Sequence, residues 1–175
     1  MSGGKLVARL GKAIATVIAL VAVVLLAGQA GLLDPMLQPG PYTPVDFAAL
    51  QRPASPNTFL VAPPGVTPAK SDGEAPVLGV KVEKLKAQWE KMIAAQPRVV
   101  KVGESSDGMQ IDYIQRTRLI HYPDWITVRF IALPDDPDNG SYATIAIYSR
   151  SVYGYGDMGA NRARVEAWLD ALSRM

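Results

Sequence analysis

Residues with the chemistry to recognise an anion are concentrated near the end of the chain. The run from Tyr153 to Arg164 combines three glycines, an acid, an amide and two arginines, and Arg150 lies just before it. Glycines let a backbone approach a ligand closely, and the free N–H groups at a helix N-terminus favour a negative charge. Arginine forks bind carboxylate or phosphate through paired hydrogen bonds. This combination predicts an anion-binding site around the start of a helix.

The same side chains also suit a purely structural role. Asp157 is placed to cap the helix that follows, and Asp124 could form an ion pair with Arg116 or Arg150. The glycines could simply satisfy turn geometry, and buried networks of acids and arginines can serve packing specificity alone. Both interpretations stay open from the residues themselves.

Enzymatic and metal chemistry receive less support. The chain has no cysteine, which excludes thiol chemistry, and its one histidine, His121, excludes a site with several histidine ligands. A Ser-His-Asp triad can be written from Ser149 or Ser151 with His121 and Asp124 or Asp157, but no Gly-x-Ser-x-Gly turn specifies it. The glycine-rich run lacks the lysine of a phosphate-binding P-loop, which disfavours a nucleotide. We therefore expect no catalytic residue, no metal and no cofactor.

The elements that would position these residues follow from apolar periodicity. Apolar residues recur at three-and-four spacing at 82–96 and again at 161–172, which predicts two helices that bring Trp89 and Trp168 into a common core. β-Branched and aromatic residues predict four strands, at 98–102, 109–119, 125–133 and 142–149, with turns at 106–108 and 138–140. The acidic cluster at 135–138 departs from the spacing of a calcium loop and is expected at a solvated hairpin tip. The predicted fold class is α+β, with a four-stranded antiparallel meander sheet flanked by two helices on one face.

An uncharged apolar stretch from Ala13 to Leu33 dominates the N-terminus. It is long enough to cross a bilayer, because about 20 helical residues at about 1.5 Å each span the hydrocarbon core. Lys5, Arg9 and Lys12 precede it, so the positive-inside rule places the N-terminus in the cytoplasm and the rest of the chain outside. A cleavable signal peptide is the alternative, because Gly28-Gln29-Ala30 offers small residues at a plausible cleavage position.

The predicted organisation is a cytoplasmic N-terminus at 1–12, a transmembrane helix at 13–33, a tether at 34–80 and an α+β soluble domain at 81–175. Proline and glycine crowd the tether and block helices there, although the apolar triplet at 59–61 is available to pin part of it onto the domain; a fully disordered linker is the alternative. Because three of the 18 basic residues precede the apolar stretch, 15 oppose the 16 acidic residues beyond it. This balance gives no support to binding nucleic acid.

The segment from Tyr148 to Glu166 resembles the signature of domain-of-unknown-function family 1499. Members of that family look like Arg-Ser-x-Ser-Arg-x-Gly-x-x-Asp-x-Gly-x-Asn-Arg-x-Arg-Val-Glu. Arg116-Thr117-Arg118 and Tyr122-Pro123-Asp124 look like the family's strand that is followed by an aromatic residue and an acid, and Ser55-Pro56-Asn57 is similar to its opening Pro-Asn element. The resemblance covers residues 53–173. Thr58 stands where a cysteine often follows the asparagine, so a thiol function would not transfer.

The resemblance implies a bacterial membrane-attached or exported protein and carries no activity that could be assigned residue by residue. It singles out the positions shared with the motif as candidate ligand-binding residues. These are Arg116, Arg118, Asp124, Arg150, Asp157, Asn161 and Arg162.

Three classes of function follow. The first is a non-enzymatic accessory or binding protein, anchored in the inner membrane by a single span with its C-terminal domain in the periplasm. Its partners would be the lipid bilayer and an anionic small molecule or lipid headgroup. The second is an accessory subunit of a larger membrane-protein complex, and the third is an extracytoplasmic hydrolase, which lacks a recognisable nucleophile and base.

Overall fold

A computed structural model describes residues 3–137 and 140–175 of the chain. The described residues form two compact units. One comprises the residues up to Gln38 together with the loop Thr117–Tyr122, and the other comprises Pro39–Arg116 and Pro123–Met175. Asp138 and Asn139 lie outside the described residues. Both belong to the predicted turn at 138–140, and Asp138 is also the last residue of the acidic cluster at 135–138.

The first unit is built on helix α1, Gly3–Gln29. It is the one helix in the described part of the chain that is long and apolar enough to span a membrane, with a mean hydropathy of 2.5 over its most apolar window. The side chains of this apolar stretch are not buried against protein. The core helix of a soluble protein, in contrast, is mostly buried. The helix ends before the uncharged stretch does, and turns continue from Ala30 to Met36.

The second unit is an antiparallel sheet with two helices. The strands are β1 Thr58–Val61, β2 Val77–Leu78, β3 Val99–Glu104, β4 Gln110–Arg116, β5 Pro123–Ala132 and β6 Ala143–Ser151, and the helices are α2 Val82–Ala94 and α3 Ala160–Ser173. The strand order is β1-β6-β5-β4-β3, and β2 also pairs with β6. The prediction of α+β with a four-strand meander is correct for β3 to β6.

The prediction of four strands is wrong, because the sheet has six. The two additional strands, β1 and β2, come from the Pro/Gly-rich segment at 34–80. Both are short and lie at one edge of the sheet, where β6 is the named strand with which they pair; Val61 of β1 also forms an isolated bridge with Gly73. Proline is tolerated beside short edge strands, since an edge residue needs no donor on its outer side. The apolar triplet at 59–61 lies within β1, so this part of the segment is attached to the sheet.

One face of the sheet carries both helices. Odd-numbered residues of β4 and β6 and even-numbered residues of β5 point to this face, where Trp89 and Trp168 are buried as predicted. Their rings meet edge to face, with centroids 5.8 Å apart. The indole N–H of Trp89 donates to the Tyr113 hydroxyl at 3.2 Å, so the polar end of this ring is satisfied inside the core.

The opposite face is covered by the segment before and after β1. Phe47 and Leu50, on and beside a short 3-10 turn, pack with Leu60 and Tyr148 in a second apolar cluster. The Asp46 carboxylate starts that turn by accepting the Ala48 N–H at 2.9 Å. The sheet is therefore covered by protein on both faces, by helices on one side and by irregular chain on the other.

Strand β3 forms the other edge of the sheet and is interrupted by a bulge. Its pairing with β4 shifts between Lys101 and Gly103. A Cβ atom at Gly103 would lie 2.3 Å from the Tyr42 hydroxyl oxygen, so only glycine lets this ring approach the strand. Beyond the bulge, Glu104 forms ion pairs with Lys101 and Lys86.

Candidate functional site

A network of polar side chains lies on the helix-bearing face, and Arg164 is at its centre. Its Nη1 donates to the Ser149 hydroxyl at 2.8 Å and to the Asn161 side-chain oxygen at 2.7 Å. Its Nη2 forms an ion pair with Asp124, and its Nε donates to Gln115. The Arg164 and Asp124 side chains are only 8% and 3% exposed, so each charge depends on the other for compensation.

Asn161 connects this network to the chain before β1. Its side-chain nitrogen donates to Asp157 at 2.7 Å, to the Ser151 hydroxyl at 3.0 Å and to the Asn57 carbonyl at 2.9 Å. Its side-chain oxygen accepts the Ser149 hydroxyl at 2.6 Å. A single buried amide therefore joins α3, β6 and the approach to β1, and all of its donors and acceptors are used.

Asp157 holds the start of α3 in place. Its carboxylate accepts the backbone N–H groups of Gly159 at 3.0 Å and Asn161 at 2.8 Å. Gly159 has a φ of 79°, a left-handed conformation that glycine adopts without strain. Burial raises the pKa of Asp157, but the hydrogen bonds to its charged form outweigh burial and hold that pKa below its usual value. Asp157 thus has the capping role that was one of the two interpretations of its position.

The polar side-chain groups of the helix-face network described above are paired within the protein rather than directed at a ligand. Arg164, Asn161 and Asp157 direct their polar atoms at one another, at neighbouring backbone, or at polar side chains of β4, β5 and β6. The Ser149 hydroxyl donates to an amide oxygen rather than to a base, which does not favour a serine nucleophile at this position. A closed network of this kind stabilises the junction of three elements.

Arg150 lies on the opposite face of the sheet, one residue along β6 from Ser149. Its guanidinium carbon lies 5.3 Å from the ring centroid of Tyr148 and 6.0 Å from that of Trp125, which are cation–π distances. Its Nη1 is buried and has no hydrogen-bond partner among the residues that the structure describes. Burial lowers the pKa of Arg150, although arginine stays protonated at neutral pH.

A cavity of about 400 Å³ lies beside Arg150. It is lined by Val45, Asp46, Ala49, Leu50, Gln51, Pro53, Tyr148 and Arg150. The nearest buried acid on this face, Asp112, already accepts the Tyr42 hydroxyl at 2.8 Å and the Thr127 hydroxyl. Arg150 is therefore a half-buried cation that lines a space with one acid, Asp46, whose Oδ1 accepts a backbone N–H.

The other predicted site residues are distributed over the surface. Arg116 ends β4 on the same face as Arg150, and Arg118 is exposed in the loop that follows. Arg162 is exposed on α3, with its guanidinium carbon 5.3 Å from the Phe59 ring centroid. Of the seven residues, the structure brings together Asp124, Asp157 and Asn161, and it places Arg150 on the other side of the sheet. Whether any of the seven binds a ligand stays a prediction.

A cavity of about 420 Å³ does bring Arg162 and Asp157 to a common wall, but Asp72 is a third charged residue there. Two carboxylates and one guanidinium give this space an excess of negative charge. Arg52, at 2.7 Å from Asp72, neutralises part of it from outside the lining. This cavity is therefore less suited to an anion than the space beside Arg150.

Sequence reasoning missed the two residues that organise the helix-face network. Arg164 lies three positions after Asn161, so both project from one side of α3, and this spacing could have been read as a pair. Asn57 was noted only as part of a Pro-Asn element. Its contribution is a backbone carbonyl as well as a side-chain nitrogen that donates to the Gly154 carbonyl at 2.7 Å, and no side-chain pattern indicates the first of these.

The fold and the network define a class: an α+β protein with one N-terminal helix able to span a membrane and a polar network at the start of its last helix. The chain belongs to the family described as Protein of unknown function (DUF1499), whose model matches residues 39–172. The predicted resemblance is thereby confirmed, and the match begins at residue 39 rather than 53. No curated protein matches the chain in sequence.

Proposed function

We propose that this protein is a membrane-anchored, extracytoplasmic binding protein that captures a small anionic group at Arg150. In this proposal α1 spans the inner membrane once, the N-terminus stays in the cytoplasm and the α+β domain lies in the periplasm. The ligand carries a carboxylate or a phosphate, from a metabolite or from a lipid headgroup. The single observation that carries the binding role is that Arg150, which lines a cavity, has a buried Nη1 atom without a hydrogen-bond partner among the described residues.

The anchoring role is supported by the composition of α1 and of its flank. The basic residues Lys5, Arg9 and Lys12 precede the uncharged stretch, which favours a cytoplasmic N-terminus. Gly28 is buried against the backbone of Leu119, in the loop between β4 and β5. Cleavage after Ala30, as in a signal peptide, would remove this contact. A retained anchor is therefore the interpretation that the packing of the first unit favours.

The binding role follows from the energetics of an incompletely paired guanidinium. Arginine carries five N–H donors, and a buried donor that makes no hydrogen bond costs about 1–3 kcal/mol. A carboxylate or phosphate in the cavity would accept from Arg150 and restore this energy. The rings of Tyr148 and Trp125 hold the guanidinium in a fixed position, so little side-chain entropy is lost when an anion binds.

Titration of the full-length protein in nanodiscs tests the proposal. Inorganic phosphate, acetate and glycerol phosphate are added to protein in phosphatidylcholine nanodiscs, and the same protein is placed in nanodiscs that contain phosphatidylglycerol. Calorimetry should detect binding of at least one soluble anion, or the thermal midpoint should rise with the anionic lipid. The first result indicates a metabolite and the second a headgroup.

Two arginine variants supply the control. Arg150→Met keeps the apolar stem but removes the charge, so it should abolish the response, whereas Arg162→Met removes an exposed arginine and should leave it intact. Equal binding by wild type and Arg150→Met would remove Arg150 as the site. A response lost in both variants would indicate only a general effect of surface charge.

The role of an accessory subunit in a larger complex is a second candidate. The side chains of α1 are exposed along its apolar window, so a neighbouring transmembrane helix has a continuous surface to pack against. Gentle detergent extraction followed by native separation discriminates the two. Migration near the mass of one chain, 18.8 kDa plus detergent, would speak against a stable complex.

A further inference from the structure

The loop between β4 and β5 belongs to the same compact unit as α1, rather than to the unit that contains the sheet. It comprises Thr117–Tyr122. The Thr117 N–H donates to the Tyr122 carbonyl at 2.9 Å, and the Tyr122 N–H donates to the Thr117 hydroxyl at 3.0 Å. These two hydrogen bonds close the loop at its base, so residues 118–121 between them form a tip of defined conformation.

The tip contacts the end of α1 backbone to backbone. A Cβ atom at Gly28 would lie 2.4 Å from the Leu119 carbonyl oxygen and 2.9 Å from the Ile120 Cα, so no other residue fits there without displacement. Farther along, the His121 Nδ1 lies 3.0 Å from an Asp34 carboxylate oxygen. His121 holds a φ of 64°, which is uncommon for a residue with a side chain. The tip is thus fixed at two points beside the end of the helix.

The length of α1 sets the depth of this contact in a bilayer. From Ala13, the first residue after the last basic one, to Gln29 the helix rises about 25 Å at about 1.5 Å per residue. The hydrocarbon core is about 30 Å thick. Gly28 therefore reaches at most the outer edge of that core, and the loop that touches it must lie at the same depth. A position in bulk water is incompatible with that contact.

The side chains of the loop suit that depth. Leu119 is 42% exposed and Tyr122 is 43% exposed, although both are large and could have been buried in a soluble domain. Arg118, next to Leu119 in the loop, is exposed, and a long cationic side chain can reach phosphates while its stem stays in the apolar zone. An apolar tip with a tyrosine and an arginine has the composition of a segment at the membrane interface.

We propose that the loop Thr117–Tyr122 is a second membrane contact, which enters the headgroup–acyl boundary of the outer leaflet beside α1. Leu119 lies in the acyl boundary, Tyr122 at headgroup level and Arg118 against lipid phosphates. The base bonds of the loop satisfy backbone groups that water no longer reaches at this depth. The inference rests on the proposed anchoring by α1, and its partner is the lipid surface itself.

The absence of cysteine from the chain allows a direct test, because a single introduced cysteine is a unique labelling site. Leu119→Cys, Val21→Cys and Met158→Cys are each labelled with a fluorophore in full-length protein, in phosphatidylcholine vesicles that contain a nitroxide on the acyl chain. Val21 is in the middle of the uncharged part of α1, residues 13–29, and Met158 is a fully exposed residue before α3. Lipid nitroxide should quench the labels at 21 and 119 and leave the label at 158 unquenched.

The outcomes separate the loop from the anchor. Quenching at 21 without quenching at 119 would overturn the loop proposal while the anchor stands, and no quenching at either position would overturn the anchor as well. Adding Gly28→Val to the Leu119→Cys protein should reduce quenching at 119, because the new side chain displaces the tip. Undiminished quenching there would contradict a depth set by the Gly28 contact.

Discussion

Arg164 and Arg150 occupy opposite faces of the same sheet, and their surroundings differ in one respect. On the helix-bearing face, Arg164 directs its three nitrogens at Asp124, Gln115, Ser149 and Asn161. On the other face, Arg150 lies over two aromatic rings with its Nη1 unpaired among the described residues. Both arginines belong to one sequence motif. The motif therefore contains one arginine whose side-chain nitrogens are all paired and one, Arg150, with an unpaired Nη1 among the described residues.

The two arginines of this motif are therefore expected to contribute differently to stability and to binding. When all donors and acceptors of a polar network are paired, the network holds its structural elements together. Removing one member then lowers the stability of the protein. A buried cation that keeps an unused donor costs stability by its presence, so removing it should cost little. Stability and binding measurements on the two arginines should therefore give opposite patterns.

The largest effect is expected from Arg164→Met. This change leaves Asp124 as a buried carboxylate without its ion-pair partner, which typically costs about 3–5 kcal/mol in the free energy of unfolding. Chemical denaturation of the full-length protein in detergent, followed by tryptophan fluorescence, measures it.

The double variant Asp124→Leu with Arg164→Met is the matched control. It removes both charges, so it should recover a large part of the loss seen with Arg164→Met alone. A single variant as stable as wild type would contradict the view that the helix-face network is structural.

An intermediate effect is expected from Asp157→Ala. Loss of the carboxylate that caps α3 should lower the free energy of unfolding by about 1 kcal/mol at neutral pH. Because the folded-state pKa of Asp157 lies below its usual value, this contribution is present above about pH 4 and is lost as the pH falls through the folded-state pKa. Denaturation curves for wild type and variant should therefore converge in acid, and a difference that grows there would refute the capping role.

The smallest effect on stability is expected from Arg150→Met, within about 1 kcal/mol of wild type, because the methionine keeps the apolar stem over Tyr148 and Trp125 and removes a buried unpaired donor. The same variant should lose anion binding. Thermal melts in the absence of added anions measure the first property. A loss comparable to that of Arg164→Met would place Arg150 among the structural residues and remove the contrast between the faces.

The parts of the fold that followed from sequence are those with strong periodicity. The two helices of the domain and strands β3 to β6 alternate or repeat over many residues, so the pattern itself indicates which side is buried. Strands β1 and β2 have four and two residues and are flanked by prolines. Their place in the sheet depends on pairing with β6, which is distant in the chain and leaves no local signal.

The candidate site was less accessible to sequence reasoning. Asp157 could be identified because helix starts have recognisable capping patterns, and Asn161 because it is shared with the family motif. The separation of Arg150 from Asp124 follows from register: Arg150 faces Trp125, so it points away from the side that Asp124 and Ser151 share. A shift of one residue would reverse this, and strand boundaries cannot be located from sequence to that accuracy.

The bulged edge at β3 has a consequence for the membrane-anchored protein that we propose. Tethering chains to a bilayer raises their local concentration. An open strand edge could then pair with the strand edge of a neighbouring copy and start aggregation. The register shift between Lys101 and Gly103, with a lysine on the outer strand, interrupts the regular row of backbone donors and acceptors that edge-to-edge strand pairing requires. Under the proposed anchoring, copies can then crowd in the membrane without their sheets pairing edge to edge.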